Sequence, residues 1–330
     1  MQRLFVGFSL LALLTSQAGN AAKVSRTYPC HRLSAPPIVD GEVRNDPAWM
    51  SLPVVTGFSV LGSSFTLAKQ TEVQACWDAD ALYLGFVCEE PDVDMMKFSI
   101  ADGGDAWLDD GVEIFLQPGG AGHQVYQLIV TARGKRSGFE GAPDFTKLQA
   151  AALKGDGCYS LETRIPHSLM ETSPAVGMRW RGNFCRNIFT MKSGGDRFTS
   201  WAPLKTRFLE PDNFGELAFM GAPPARESLQ KLNDRLNGPY RRSLIAKVVS
   251  AARKAPEYEA ALKEAAQDAE YGKAAMDLAD RWQRVERAAG EAGKTEITEL
   301  RTAAVDAGSL ENASCRFKYT YLIYRLLEEN

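Results

Sequence analysis

The chain has 330 residues, of which 38 are basic and 41 acidic, for a formal net charge of −3. A near-balanced charge without Lys/Arg blocks gives no electrostatic reason to expect nucleic acid or an anionic lipid surface as a partner. The length suits one large or two medium folded units, and only three histidines, His31, His123 and His167, are spread along it.

Arg3, the apolar run Leu4 to Leu14 and the small residues Ala18, Gly19, Ala21 and Ala22 read as a secretory signal peptide over residues 1–22. The expected destination is the periplasm or the exterior. No later stretch approaches the roughly 18 to 20 uncharged apolar residues of a spanning helix, so no membrane span is expected. Six cysteines follow: Cys30, Cys76, Cys88, Cys158, Cys185 and Cys315. An even number in a disulfide-permissive compartment allows bridges, but no C-x-x-C pair suggests zinc or redox chemistry.

From Val73 onwards, short runs alternate in hydrophobicity and are separated by Gly, Pro and Asp, which is how antiparallel strands read. Val73 to Trp77 and Leu82 to Val87 flank Asp78-Ala-Asp-Ala81 as a hairpin. That turn sets Cys76 opposite Tyr83 and Cys88 opposite Thr71, so these two cysteines cannot bridge each other within it. In Gly111 to Leu116, Val112, Ile114 and Leu116 form an apolar row, while Glu113, Phe115 and Gln117 line the other face. Tyr126 to Val130, Ser160 to Ile165 and Asn183 to Asn187 continue the series. The expected fold over 23–220 is an antiparallel β-sandwich of jelly-roll or immunoglobulin-like type.

Gly221, Pro223 and Pro224 break the chain, and beyond them the period becomes helical. Leu229, Leu232 and Leu236, then Leu278, Trp282, Val285 and Ala289, then Phe317, Tyr321 and Tyr324 repeat at three- and four-residue spacings, giving an all-α segment over 221–330. Asn312-Ala-Ser314 matches a glycosylation pattern but reads better as the cap of the last helix.

Catalytic constellations are thin. No H-E-x-x-H or G-x-S-x-G occurs, and Gly119-Gly-Ala-Gly122 fits neither a P-loop nor a dinucleotide fingerprint. Asp109 and Glu113 on one extended segment would lie about 13 Å apart, beyond the ~5 to 9.5 Å of glycoside hydrolysis, and Asp110 would face away. A non-catalytic role is expected. Trp107, just before the strand that carries Glu113, offers instead an aromatic plate beside a carboxylate, which suits a sugar's C–H face and its hydroxyls.

Pro37-Ile-Val-Asp-Gly41 with Asp46-Pro-Ala-Trp49, Cys76-Trp-Asp-Ala-Asp-Ala-Leu-Tyr-Leu84, Trp107-Leu-Asp-Asp-Gly-Val-Glu-Ile-Phe115, Ser200-Trp-Ala-Pro203 and Pro211-Asp-Asn-Phe-Gly-Glu-Leu217 stand in this order along the chain. Together they make residues 36–219 resemble carbohydrate-binding module family 9, one of the DOMON-like β-sandwiches. The resemblance implies a sugar held between two aromatic rings. Trp107 matches the first ring, Phe208 stands where the family has a second tryptophan, and Glu113 matches the sugar-contacting glutamate. The family's Arg and Asn correspond to Ile129 and Thr131, and Asn187, with Arg186 beside it, is a further contact candidate. Tyr126 and Gln127 border the expected face, while Trp49, Trp77 and Trp201 read as core. The family also includes calcium-binding members, and Asp78 and Asp80 serve equally well as turn formers.

The function expected from this is extracytoplasmic recognition of a poly- or oligosaccharide, in support of carbohydrate catabolism. Two alternatives come from other classes. One is haem binding through Met95, Met96 or His123. The other is a sandwich without ligand that serves as a scaffold, its helical segment docking a protein partner.

Overall fold

The structure, a computed structural model, describes residues 26–63, 65–66, 68–139, 144–191 and 197–328. The expected signal peptide lies outside the described residues. Twelve strands occur among them: β1 (Thr27–Arg32), β2 (Ser59–Val60), β3 (Thr71–Trp77), β4 (Ala81–Glu89), β5 (Gly111–Gln117), β6 (Tyr126–Thr131), β7 (Arg136–Phe139), β8 (Gln149–Lys154), β9 (Cys158–Pro166), β10 (Arg179–Asn187), β11 (Phe198–Ser200) and β12 (Gly215–Met220). They form one sheet in the order β7-β6-β5-β10-β12-β1-β3-β4-β9-β8, with β11 joining β10 to β2. The hairpin register is the one its turn demands, with Cys76 opposite Tyr83 and Thr71 opposite Cys88.

The expected purely antiparallel pairing needs correction. β1 runs parallel to both of its neighbours, β12 and β3, which makes the sheet mixed. The reason is topological: the first and last strands of the β region lie side by side in the same direction, and local alternation carries no information about such a pairing.

The sheet folds over on itself because its apolar rows share one core. Leu82, Leu84 and Phe86 of β4 and Val112, Ile114 and Leu116 of β5 belong to the same buried cluster, and the Phe86 and Phe184 rings meet across it at 5.9 Å. The free edges also approach each other, since the Arg136 guanidinium of β7 donates to the Leu148 carbonyl beside β8 at 2.6 Å. The result is a nearly closed, barrel-like sandwich.

The early motif has a clear structural use. The Glu162 carboxylate on β9 is fully buried and accepts from Trp49 Nε1 at 2.5 Å and from the Asp40 and Gly41 amides at 2.9 and 2.7 Å. Trp49, on the short helix α1 (Pro47–Met50), is thereby clamped over Gly85 of β4, where any Cβ would meet the indole at 3.0 Å. Trp77 and Trp201 are core positions as expected, 5% and 2% exposed. All six cysteines are unpaired. Their places explain this: Cys30 faces the main core, Cys76 lies under Trp49 on the opposite face, and Cys185 lies under a third cluster.

After β12 the chain becomes α2 (Arg226–Leu236), α3 (Gly238–Ala252), α4 (Pro256–Ala265), α5 (Gly272–Gly290) and α6 (Ile297–Glu328). The predicted stripes are the core here: Trp282, Val285 and Tyr321 are buried, and Tyr258 stacks on Trp282 at 5.8 Å. Asn312 to Ser314 caps nothing, because it lies well inside α6. Ser314 is fully buried and its hydroxyl accepts from Trp282 Nε1 at 2.9 Å. The helices are tied to the sandwich by Asn233 and Asn237, which accept from the Val54 and Thr56 amides, and by a two-pronged ion pair from Arg301 to Glu89.

Candidate functional site

β5 has apolar neighbours on both faces, but they are used differently. Phe115 packs with Cys185, Leu204 and Phe214 in a small outer cluster, and Phe208 is half-buried against it. Two residues before Phe115, the same face carries Glu113. Register then decides its surroundings: Glu113 pairs with Ile129 on β6 and Cys185 on β10, while Gln127 lies opposite Phe115 and Asn187 opposite Gly111. Gln127 and Asn187 are therefore the diagonal polar neighbours of Glu113.

Both reach it. Asn187 Nδ2 donates to Glu113 Oε1 at 2.8 Å, and Gln127 Nε2 donates to Oε2 at 2.7 Å. Glu113 is only 4% exposed. Burial pushes its carboxyl above the usual range, and the two amides pull it back. Each oxygen retains lone-pair capacity beyond the one bond it accepts.

Aromatic pairs flank this cluster on both sides. Phe139 lies opposite Gln127 on the same face, and Trp107, on a single 3-10 turn, packs edge-on against it with centroids 4.6 Å apart. On the other side Phe198 lies opposite Asn187, and Phe208 packs edge-on against it at 5.9 Å. All four rings are half-buried. Phe139 and Phe198 are four strand steps apart in β7-β6-β5-β10-β11, about 19 Å along the sheet at ~4.8 Å per strand. Thus Trp107 and Phe208, both expected as sugar platforms, stand on opposite flanks of Glu113, and Asn187 is its direct partner.

The loops that present the two outer rings are held by carboxylates. Asp109 accepts from the Ser99 and Ile100 amides, each at 2.7 Å, and from the Ser99 hydroxyl, while Asp110 accepts from the Lys97 and Phe189 amides. These two acids fold the segment around Trp107. Glu210 does the same for Phe208, accepting from the Lys205, Thr206 and Arg207 amides, the Thr206 hydroxyl and the Asn213 side chain. Partial burial opposes its ionisation, but the donors prevail and hold its carboxyl far below the usual range.

Several expected residues lie elsewhere. Tyr126 does not border this face: it is opposite Leu116, on the core side, and its hydroxyl donates to the Met170 carbonyl. Arg186 points inward as well, fully buried: its two terminal nitrogens donate to the Lys69, Gln70 and Glu89 carbonyls and to Glu90, while its Nε has no hydrogen-bond partner among the described residues. Ile129 sits directly opposite Glu113, and Thr131 uses its hydroxyl on the Lys135 amide. Sequence reasoning missed Phe139 and Phe198. Neither lies in a quoted motif, and only strand register reveals them.

Of the two carboxylates weighed for calcium, Asp78 is occupied by donors of its own turn: it accepts from the Asp80 and Ala81 amides and the Tyr83 hydroxyl, which makes it a turn former. Asp109 and Asp110 likewise face N–H donors, whose positive ends oppose a metal ion. Among the described residues no three His, Cys, Asp or Glu side chains converge on one point. Of the haem candidates, Met95 is 69% exposed, Met96 packs in the main core and His123 lies exposed on the β5–β6 loop.

The model of the family described as "Carbohydrate family 9 binding domain-like" matches residues 39–222, and the chain belongs to that family. Among solved structures the chain is similar to a family 9 carbohydrate-binding module from Caldicellulosiruptor kristjanssonii in complex with cellotriose, at 18% identity and TM-score 0.45, over 61% of this chain and 97% of that one. The module from the same organism in complex with glucose matches at 20% identity and TM-score 0.45, over 59% and 95%. A putative carbohydrate-binding protein from Bacteroides uniformis matches at 17% and 0.46, over 59% and 99%. No curated protein matches the chain.

Proposed function

We propose that this face binds an oligo- or polysaccharide outside the cytoplasm, without turnover, after removal of residues 1–22, and so supports carbohydrate catabolism. The observation that carries the reading is the nearly buried Glu113, oriented by Asn187 and Gln127 between the Trp107–Phe139 and Phe198–Phe208 pairs. A carboxylate fixed by two amides is a preorganised acceptor for paired hydroxyls, and the half-buried rings offer apolar plates to sugar C–H faces. The separation of the ring pairs suits several sugar units rather than one. In this reading residues 23–220 are the binding domain, and 221–330 a helical unit that stands on it.

The test is a glycan array that includes glucose and cellotriose, probed with residues 23–330 and with Trp107→Ala and Phe208→Ala. Binding that is lost in either variant supports the reading; binding unaffected in both refutes it. Ile129, apolar where the family offers a polar contact, favours a second reading in which the sandwich has no sugar ligand and serves as a scaffold. Silence across the array, with a protein partner lost on deletion of 221–330, would select that reading instead.

A further inference from the structure

In its last three turns α6 is apolar nearly all the way round. One side is used: Tyr321 is buried, and it packs with Phe317, Tyr324 and Tyr271 at centroid distances of 5.6 to 6.3 Å. The other side presents Tyr319, Leu322, Ile323, Leu326 and Leu327, which are 63, 42, 59, 62 and 74% exposed. A helix that is hydrophobic on every side is ordinarily covered on every side. The five side chains form a contiguous patch on the order of 500 Å², within the size range that marks interaction sites on monomers.

We infer that this stripe pairs with the same stripe of a second copy of the chain, as an antiparallel two-helix contact about a two-fold axis beside Leu322 and Ile323. The spacing is that of a helix–helix seam, since residues at i, i+3, i+4, i+7 and i+8 lie along one side. The pattern is also self-complementary: a two-fold centred between residues 322 and 323 sets Leu322 against Ile323 and Tyr319 against Leu326. Charge selects the antiparallel direction. Arg316 and Lys318 precede the stripe, and Arg325 lies near its end. A parallel arrangement would set each of these cations beside its own copy, whereas the antiparallel one separates them. Two copies of the patch would remove about 1,000 Å² from water, which reaches the lower bound for a specific interface and implies a reversible dimer.

Sedimentation velocity of residues 23–330 over a hundredfold concentration range tests this. A concentration-dependent dimer is expected. Ile323→Glu/Leu327→Glu should raise its dissociation constant at least tenfold with an unchanged circular dichroism spectrum. A wild-type chain that stays monomeric at 100 µM overturns the proposal, as does a dimer insensitive to the double variant. Co-sedimentation of the monomer with vesicles of 30% anionic lipid, lost in the double variant, would overturn it in favour of a lipid surface as the occupant. Sugar binding by a chain that is monomeric, or dimerisation by one that binds no glycan, separates this inference from the function proposed above.

Discussion

Replacing Glu113 with Gln isolates the charge at the centre of the site while nearly conserving its shape. The carboxylate accepts from Asn187 Nδ2 and Gln127 Nε2. A glutamine keeps one acceptor and turns an amide against the other donor. Gln127 is half-buried and can rotate to present its oxygen, so the network survives with one neutral bond in place of a charge-assisted one. The fold also no longer holds a desolvated charge, and unfolding free energy should change by less than about 1 kcal/mol. A sugar hydroxyl, by contrast, loses its ionised acceptor, worth about 1.5–3 kcal/mol, or roughly tenfold to a hundredfold in Kd. Titration calorimetry with the array-selected glycan and urea unfolding of both proteins measure the two terms. The pH dependence has a definite sign. Burial raises the folded pKa of Glu113 above its unfolded value, so its contribution to stability is complete at low pH and is lost as pH rises through the folded pKa. Relative to wild type, Glu113→Gln should therefore gain stability as pH rises. Unchanged glycan affinity, or a destabilisation above about 3 kcal/mol at neutral pH, would refute this account of the site.

Glu210→Ala should loosen the loop that presents Phe208 and weaken glycan binding about threefold to tenfold with the ring itself intact, while the Glu113–Asn187 contact persists; calorimetry and a crystal structure check this. Glu162→Leu strands Trp49 Nε1 and two backbone amides and should cost about 3–5 kcal/mol in urea unfolding, since a buried acceptor is lost from three donors. Gly57→Ala forces a Cβ to within 2.6 Å of Tyr240 at a φ of +79°, and should expose the 226–328 helices to limited proteolysis before the sandwich. Burial holds His31 and His167 below the usual imidazole range against their carbonyl partners, so the unfolded chain takes up protons first as the medium is acidified. Stability should fall as pH drops below about 6.5, and His31→Asn should reduce that slope in urea midpoints measured from pH 8 to 5.

The sequence by itself determined whatever rests on local period and short-range chemistry. Alternation placed β3, β4 and β5 on their faces, a four-residue turn set the Cys76–Tyr83 register, and three- and four-residue spacing found Trp282, Val285 and Tyr321 in the helical core. The ordered motifs contain Trp107 and Glu113, and the family resemblance they carry added Phe208 and Asn187; each lies at or beside the polar cluster. What only the tertiary structure decided depends on pairing between distant strands. The parallel neighbours of β1, the inward turn of Tyr126 and Arg186, and the recruitment of Phe139 and Phe198 all follow from register, and register is set by which strands meet. The burial of Ser314 within α6 follows from packing against Trp282, which outweighs the capping preference of a serine. A side chain's local preference is encoded within a few residues of it. Its partners are fixed by the one arrangement of the sheet that buries every apolar row at once, and no window of sequence contains that arrangement.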